Sequence, residues 1–166
     1  MNHTKRSKII FILSLAMFVV LVSAVPAYAE AQRLNFTGTT CTQSQTPPEK
    51  FWISDDGIMH QRGTVLTNID VTDGDYDTGI NILTGNIDLD LATGYGHAHG
   101  TFTIYPAGYN GTFEGNWSSH ISPNGLRGIG EGHGTGDLEG VQIFNNLTSD
   151  NPNDPCTNSS ITVLIP

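Results

Sequence analysis

Apolar and polar residues alternate along most of the chain after residue 30, and short turn signals separate the alternating segments. A period of two is typical of β-strands, and no segment after residue 30 shows a helical period long enough to predict a helix. Turns are indicated by Asp73-Gly74, Ala92-Thr93-Gly94 and Pro123-Asn124-Gly125. The pattern predicts strands over Leu34–Thr40, Phe51–Ser54, Ile58–Val71, Gly79–Leu91, Tyr95–Tyr105, Thr112–Ile121, Leu126–Leu138, Val141–Leu147 and Ser160–Ile165.

This succession of strands and tight turns predicts an all-β fold, an antiparallel meander of about eight strands. A meander leaves two unpaired edges, and closure into a barrel removes both of them. We therefore expect a roughly eight-stranded β-barrel. A two-sheet β-sandwich is the alternative architecture for the same strands.

Every second residue from Gly128 to Gly136 is glycine. In a strand, this spacing leaves one face as bare backbone, which large side chains can approach closely. A tight hairpin at residues 123–125 would place Trp117 opposite Gly130 and Phe113 opposite Gly134. We expect these two aromatic rings to lie over the glycine backbone, so that Gly130→Val would displace Trp117.

The first 29 residues have the pattern of a secretory signal peptide. Lys5, Arg6 and Lys8 precede an almost wholly apolar run from Ile9 to Val25, and Ala27-Tyr28-Ala29 supplies small residues for cleavage. An uncleaved membrane anchor is the alternative. Cleavage near Ala29 predicts that residues 30–166 form a single secreted or periplasmic domain.

The predicted mature chain is strongly acidic. Of the 7 basic residues, 3 lie in the first 29 positions, which leaves 4 basic residues against 16 acidic ones and a net charge of −12. A charge of this sign repels nucleic acid and anionic membranes. We therefore expect no nucleic-acid partner, and no membrane association after cleavage.

The chain contains two cysteines, Cys41 and Cys156. In an exported protein an even cysteine count indicates a disulfide, and neither neighbours nor spacing suggest a catalytic thiol or a metal pair. We predict a Cys41–Cys156 disulfide that closes a loop of more than about a hundred residues.

Six ionisable residues are predicted to share the face of the sheet opposite the core. Hairpin pairing places His97 opposite His120 and Glu114 opposite His133. Imidazole and carboxylate groups bind zinc or copper, or transfer protons near neutral pH. The other interpretation is a solvated polar exterior, because Ala98, Phe102 and Trp117 lie on the opposite face. The candidate metal residues are His97, His99, His120, Glu114, Glu131 and His133.

An acidic segment, residues 70–79, carries carboxylates at Asp73, Asp75 and Asp77. Alternate oxygen ligands on a tight turn are typical of calcium loops. However, Thr78 stands where the EF-hand pattern has glycine, and Thr84 stands where it has the closing glutamate. Calcium binding and an ordinary acidic hairpin loop both remain open.

Three glycine- and aromatic-rich segments carry a family resemblance: residues 94–102, 111–117 and 132–140. With them the chain resembles the β-barrel proteins related to allene oxide cyclase and the dirigent proteins, including small bacterial members. The resemblance implies an eight-stranded antiparallel barrel, often trimeric. In the plant enzymes, the barrel cavity steers cyclisation or radical coupling of hydrophobic small molecules. No catalytic residue carries over to a position in this chain.

Two functions are compatible with the sequence. The chain has no Gly-x-Ser-x-Gly elbow, no P-loop and no dinucleotide-binding fingerprint, which favours a barrel that binds a small apolar ligand or a partner without catalysis and without a cofactor. The alternative is a cofactor-free cyclase or isomerase acting in the barrel cavity. A buried carboxylate or histidine at the barrel mouth would favour the enzyme. A lumen filled by Phe102, Phe113 and Trp117 would favour binding alone.

Overall fold

A computed structural model of the protein describes residues 31–72, 79–151 and 153–166, and Ala31–Pro166 clusters as one compact unit. The predicted signal segment, residues 1–29, lies outside the described residues. The strands are β1 (Gln32–Gln45), β2 (Lys50–Ile53), β3 (Ile58–Thr72), β4 (Gly79–Asp90), β5 (Gly96–Tyr105), β6 (Phe113–Ser122), β7 (Gly125–Gly134), β8 (Gln142–Ser149) and β9 (Cys156–Ile165).

All the strand pairs are antiparallel, in the order β1-β9-β8-β7-β6-β5-β4-β3-β2. An additional pairing of β1 with β3 closes the sheet into an eight-stranded barrel and leaves β2 as an extra strand. The predicted barrel is confirmed, and the sandwich alternative is not formed. Closure gives both edges of the meander a partner.

Strand β3 makes the closure possible because it has two neighbours on one side. Its first half pairs with β2, from Ile53↔Met59 to Lys50↔Arg62, and its second half pairs with β1, from Gln45↔Leu66 to Gly38↔Thr72. The register with β4 shifts between Gln61 and Thr64, where Gly63 adopts a φ of +70°. Such a bulge bends a strand, and here it lies where β3 changes partner.

All nine predicted strands are observed, but β1 and β9 are longer than predicted and one predicted strand ends early. The strand predicted over Leu126–Leu138 ends at Gly134, and a short 3-10 helix follows over Gly136–Leu138. Gly136 has a φ of +60°, which takes the chain out of the sheet. This turn buries Leu138 against the core cluster.

The barrel lumen is lined by alternate residues of each strand. Its apolar core consists of Leu83, Phe102, Ile104, Phe113, Leu138, Ile143 and Ile161, all buried. The hairpin register predicted for β6 and β7 is confirmed, because Trp117 pairs with Gly130 and Phe113 pairs with Gly134. The glycine face of β7 therefore looks into the lumen.

The ring that packs on this glycine face belongs to Phe102 of β5. A β-carbon built on Gly130 would lie 3.4 Å from Phe102 Cε1, and one built on Gly132 would lie 2.8 Å from Phe102 Cζ. The strand between them contributes Gly115, in register with both Phe102 and Gly132. The expectation that Trp117 covers Gly130 is thus wrong.

Trp117 points in the opposite direction around the barrel. Its ring passes over Gly100 of β5 and reaches Gly85 of β4, where a built β-carbon would lie 2.6 Å from Trp117 Cζ2. The indole Nε1 donates a hydrogen bond to the carbonyl oxygen of Thr101 at 3.0 Å. Phe102 of β5 therefore crosses β6 at a glycine, and Trp117 of β6 crosses β5 at a glycine.

The predicted disulfide is confirmed between Cys41 of β1 and Cys156 of β9. The two residues are directly opposite in the sheet and 115 positions apart in the chain. Closing a loop of this length stabilises the fold by about 4–5 kcal/mol in the chain-entropy model. The bond fastens the first strand of the barrel to the last.

Gly132→Ala should lower the free energy of unfolding by about 1–3 kcal/mol, the usual cost of overpacking a filled core. The new β-carbon would meet Phe102 Cζ at 2.8 Å and the carbonyl oxygen of Glu114 at 2.6 Å. Gly130→Ala is the matched control and should be nearly neutral, because its nearest contact is an ordinary 3.4 Å. Urea denaturation measures both, and equal stabilities of the two variants would contradict this packing.

Candidate functional site

An apolar cavity opens at one end of the barrel, where β3, β5 and β9 end and β4, β6 and β8 begin. Its volume is about 170 Å³. Side chains from around the barrel form its wall, among them Leu34, Phe36, Phe113, Leu138, Ile161 and Val163. The exposed Tyr109 and the half-buried Pro106 also line it. We call this space the mouth cavity.

Among the described residues, one carboxyl group lies in the wall of the mouth cavity. Asp70 of β3 is only 6% exposed and sits opposite Thr40 of β1. Burial raises the pKa of Asp70, and the polar side chains of Thr40 and Asn81, which favour the charged form, offset only part of that rise. Asp70 is therefore a carboxyl group poised to exchange a proton at a higher pH than an ordinary aspartate.

Buried polar oxygens accompany Asp70 inside the lumen. Among the described residues, the buried side-chain atoms without a hydrogen-bond partner are Thr40 Oγ1, Asn68 Oδ1, Asp70 Oδ1, Asn81 Oδ1 and Asn145 Oδ1. Leaving a buried polar atom unpaired costs about 1–3 kcal/mol. Buried polar side-chain atoms usually have a hydrogen-bond partner, so these oxygens are available to a ligand that enters the lumen.

The centre of the lumen is filled. Phe102 and Phe113 are buried and Trp117 is half-buried, and the space left between Phe102, Trp117 and Asn145 is about 20 Å³. Ile104 and Ile143 line both this space and the mouth cavity. The mouth cavity is therefore a blind pocket. A filled lumen is the feature expected to favour binding alone, and a buried carboxyl group at the mouth is the feature expected to favour an enzyme. Both features are present.

The six candidate metal residues lie on the outer face of the barrel in the expected register. His97 is opposite His120, and Glu114 is opposite His133. These two pairs are six residues apart along β6, or about 20 Å at the usual rise of a strand. Among the described residues, no group of three or more histidine, cysteine, aspartate or glutamate side chains is placed to hold a metal ion.

The remaining members of the set are separate as well. His99 is opposite Ser118, and Glu131 is opposite Asn116. Of the six residues, only His97 and His120 make a side-chain contact with each other, with their Nδ1 atoms 3.3 Å apart. The calcium candidates Asp73, Asp75 and Asp77 lie outside the described residues, and calcium binding stays a prediction.

A polar chain that the sequence analysis did not identify joins β3, β4 and the turn after β2. Ser54 Oγ lies 3.2 Å from His60 Nε2, and His60 Nδ1 lies 2.6 Å from Asp88 Oδ1. This is the order of groups in a serine–histidine–aspartate triad. However, the Ser54 hydroxyl also donates to Asp56 Oδ1 at 2.5 Å, and a carboxylate accepts its single proton in preference to an imidazole.

The neighbours of this chain indicate a structural role. Trp52 stacks on the His60 ring with 4.6 Å between the ring centroids, and Arg62 donates to Asp88 Oδ1 at 2.7 Å. Partial burial acts to raise the pKa of Asp88, but the hydrogen bonds from His60 and Arg62 outweigh it and the pKa lies below the usual range. We interpret the chain as a lock that holds the extra strand β2 on the barrel.

The chain matches no known protein-family model, and comparison with curated proteins gives no match. Among the described residues, no helix is long and apolar enough to cross a membrane. The disulfide is compatible with an extracellular or periplasmic location. The function is therefore argued from the mouth cavity itself.

Asp70→Asn should raise the melting temperature at pH 7. The folded-state pKa of Asp70 lies above its unfolded value, so the stability it contributes is present below the unfolded pKa and is lost as the pH rises through the folded pKa. The advantage of the variant should therefore shrink as the pH falls towards about 4. Thermal unfolding across this pH range measures it.

Asp90→Asn is the control, for which we expect the opposite change in melting temperature at pH 7. Hydrogen bonds from the Thr93 hydroxyl and the Ala92 backbone N–H lower the pKa of this exposed carboxyl group. Asp90 therefore stabilises the fold above its unfolded pKa, and the asparagine variant should melt earlier than wild type at pH 7. A destabilised Asp70→Asn variant at pH 7 would contradict the assignment of Asp70 as a buried, costly charge.

Proposed function

We propose that the barrel binds a small, largely apolar molecule in the mouth cavity, with Asp70 as the polar contact. The observation that carries this proposal is the combination of an apolar wall with one buried carboxyl group whose Oδ1 has no partner among the described residues. Ligand pockets have this composition, since apolar walls supply affinity and a few polar groups orient the ligand.

The size of the cavity limits the ligand. The mouth cavity measures about 170 Å³, and an apolar cavity of about 150 Å³ in another protein accommodates benzene. The enclosed part of the ligand is thus about one six-membered ring, and any larger part extends past Tyr109 towards solvent. A hydroxyl group on that ring would give Asp70 Oδ1 a hydrogen-bond partner.

We also propose that the protein is exported and works outside the cytoplasm. The support is the Cys41–Cys156 disulfide together with the basic and apolar pattern of residues 1–29. Cleavage near Ala29 and the trimer implied by the family resemblance stay predictions.

Phenol and toluene form a matched pair of probes, because they differ by one hydrogen-bond donor at nearly equal size. Phenol should bind wild type about fivefold more tightly than toluene, the equivalent of one hydrogen bond of about 1 kcal/mol. Asp70→Leu should remove this preference. Titration calorimetry or ligand-detected NMR on the purified chain measures the affinities.

Val163→Phe tests whether the mouth cavity is the binding site. Val163 lines the cavity, so the larger ring should fill it and weaken both probes. Ile80→Phe is the control, because Ile80 lies on β4 with its side chain half exposed to solvent on the outer face. Probe affinities that do not change in Val163→Phe would overturn the proposal.

The buried carboxyl group favours a second function, a cofactor-free cyclase or isomerase. An aspartate with a raised pKa can take a proton from a carbon atom next to a carbonyl group and return it elsewhere. The family resemblance implies the same class of chemistry. Ligand binding and catalysis would then use the same cavity and the same residue.

Proton transfer by Asp70 can be measured without knowledge of the natural substrate. Cyclohexanone has the size of the probe ligands, and the enzyme hypothesis expects wild type to accelerate its uptake of deuterium from heavy water. Asp70→Asn should abolish the acceleration, because the amide is not a base. Equal uptake with wild type, with Asp70→Asn and without protein would leave ligand binding as the function.

A further inference from the structure

Two imidazole rings meet on the outer face of the barrel, where β5 pairs with β6. His97 lies directly opposite His120, with 3.3 Å between the Nδ1 atoms and 4.7 Å between the ring centroids. Both side chains are exposed, so an ion can reach them from solvent. We propose that His97 and His120 bind one zinc ion through their two Nδ1 atoms.

The distance between the two nitrogens matches tetrahedral zinc. Zinc holds imidazole nitrogens at about 2.0–2.1 Å, so two of them at the tetrahedral angle are about 3.3–3.4 Å apart. The observed separation of 3.3 Å agrees with this value. Neighbouring ligands of square-planar copper, at 90° and similar bond lengths, would be only about 2.8 Å apart.

Without a metal ion, the same separation suits one proton shared between two neutral rings. One ring then donates through Nδ1–H and the other accepts through its bare Nδ1. Zinc would take the place of that shared proton, and the ring that carried it would become the neutral tautomer protonated at Nε2, because both ligating nitrogens must be unprotonated. The strands need not move for this exchange.

The sheet holds the two histidines in place. The pairs on either side of them, Gly96↔Ile121 and Ala98↔Ser119, continue the β5–β6 ladder without a register shift. The Tyr95 ring also lies against His120, with 6.2 Å between the centroids. Metal ligands on paired strands are more precisely placed than ligands on loops.

Two protein ligands leave about half of a tetrahedral coordination sphere open. The pair borders an outer groove of about 510 Å³, whose other lining residues include His99, Ser118, Ile129 and Thr148. Water molecules or a small ligand in this groove would complete the sphere. The site is thus open to exchange, unlike a structural zinc site with four protein ligands.

Charges in the same row of the sheet bear on the ion from both sides. Asp88 is opposite His97 but is already paired with Arg62, whereas Arg127 is opposite His120 and repels a cation. The formal charge of the chain, −9, favours a cation overall. A guanidinium group beside the open positions also favours an anion as the third zinc ligand.

The test is titration of the purified, metal-free chain with zinc, followed by calorimetry and native mass spectrometry. We expect one zinc ion per chain. His97→Ala and His120→Ala should each weaken binding by about tenfold or more, since each removes one of two ligands. Far-UV circular dichroism should show unchanged folding, because both side chains are exposed.

His133 on the same outer face serves as the control. It lies at the far end of β7, opposite Glu114. His133→Ala should leave zinc affinity unchanged. An equal loss in His133→Ala, or undiminished binding in both His97→Ala and His120→Ala, would overturn the proposal, as would the absence of zinc binding.

NMR of the imidazole resonances gives a second measurement on the unmutated chain. Zinc should shift the signals of His97 and His120 together and with one stoichiometry, while the signals of His60 and His133 stay in place. Shifts centred on any other histidine would place the ion elsewhere and contradict the assignment.

Discussion

The barrel depends on how two aromatic side chains share a narrow lumen. Phe102 of β5 passes over Gly115 and packs on Gly132, while Trp117 of β6 passes over Gly100 and packs on Gly85. Each ring crosses the neighbouring strand where that strand has no side chain. Because closely packed interiors tolerate little extra volume, these glycines allow eight strands to close around two large rings. The glycine run of β7 is one half of this arrangement.

The filled centre of the lumen has a functional consequence, because it keeps the cavity inside the barrel separate from the site on the outer face. Beside Ile104 and Ile143, the space between Phe102 and Trp117 is about 20 Å³, whereas the mouth cavity beside Asp70 is about 170 Å³. The lumen therefore presents one short, mostly apolar site with a carboxyl group. The histidine pair lies on the outer face of β5 and β6 and makes a separate, polar site. A ligand at one site need not affect the other.

Sequence reasoning identified the strands and one of the two sites in part. The register of β6 against β7 could be predicted because a tight turn leaves only one way to pair the two strands. The pairing of His97 with His120 followed from the hairpin of β5 and β6. Asp70 was missed as a site residue. In β3 both faces carry apolar residues, Val65 and Ile69 on one and Leu66 on the other. Alternation alone therefore does not show that the lumen side is the face that carries Asn68 and Asp70. His60 and Asp88 were missed because no tight turn fixes the pairing of β3 with β4, which also shifts between Gln61 and Thr64.

The sequence by itself determined the strands, the turns between them and the pairing within consecutive hairpins, because these depend on residues close together in the chain. It also determined the single disulfide, since there are two cysteines to form it. Only the tertiary structure decided which face of β3 looks inward, which ring covers which glycine, and that Asp70 is buried at the mouth. Those outcomes depend on the closure of β1 on β3, a contact between distant segments that no local pattern encodes.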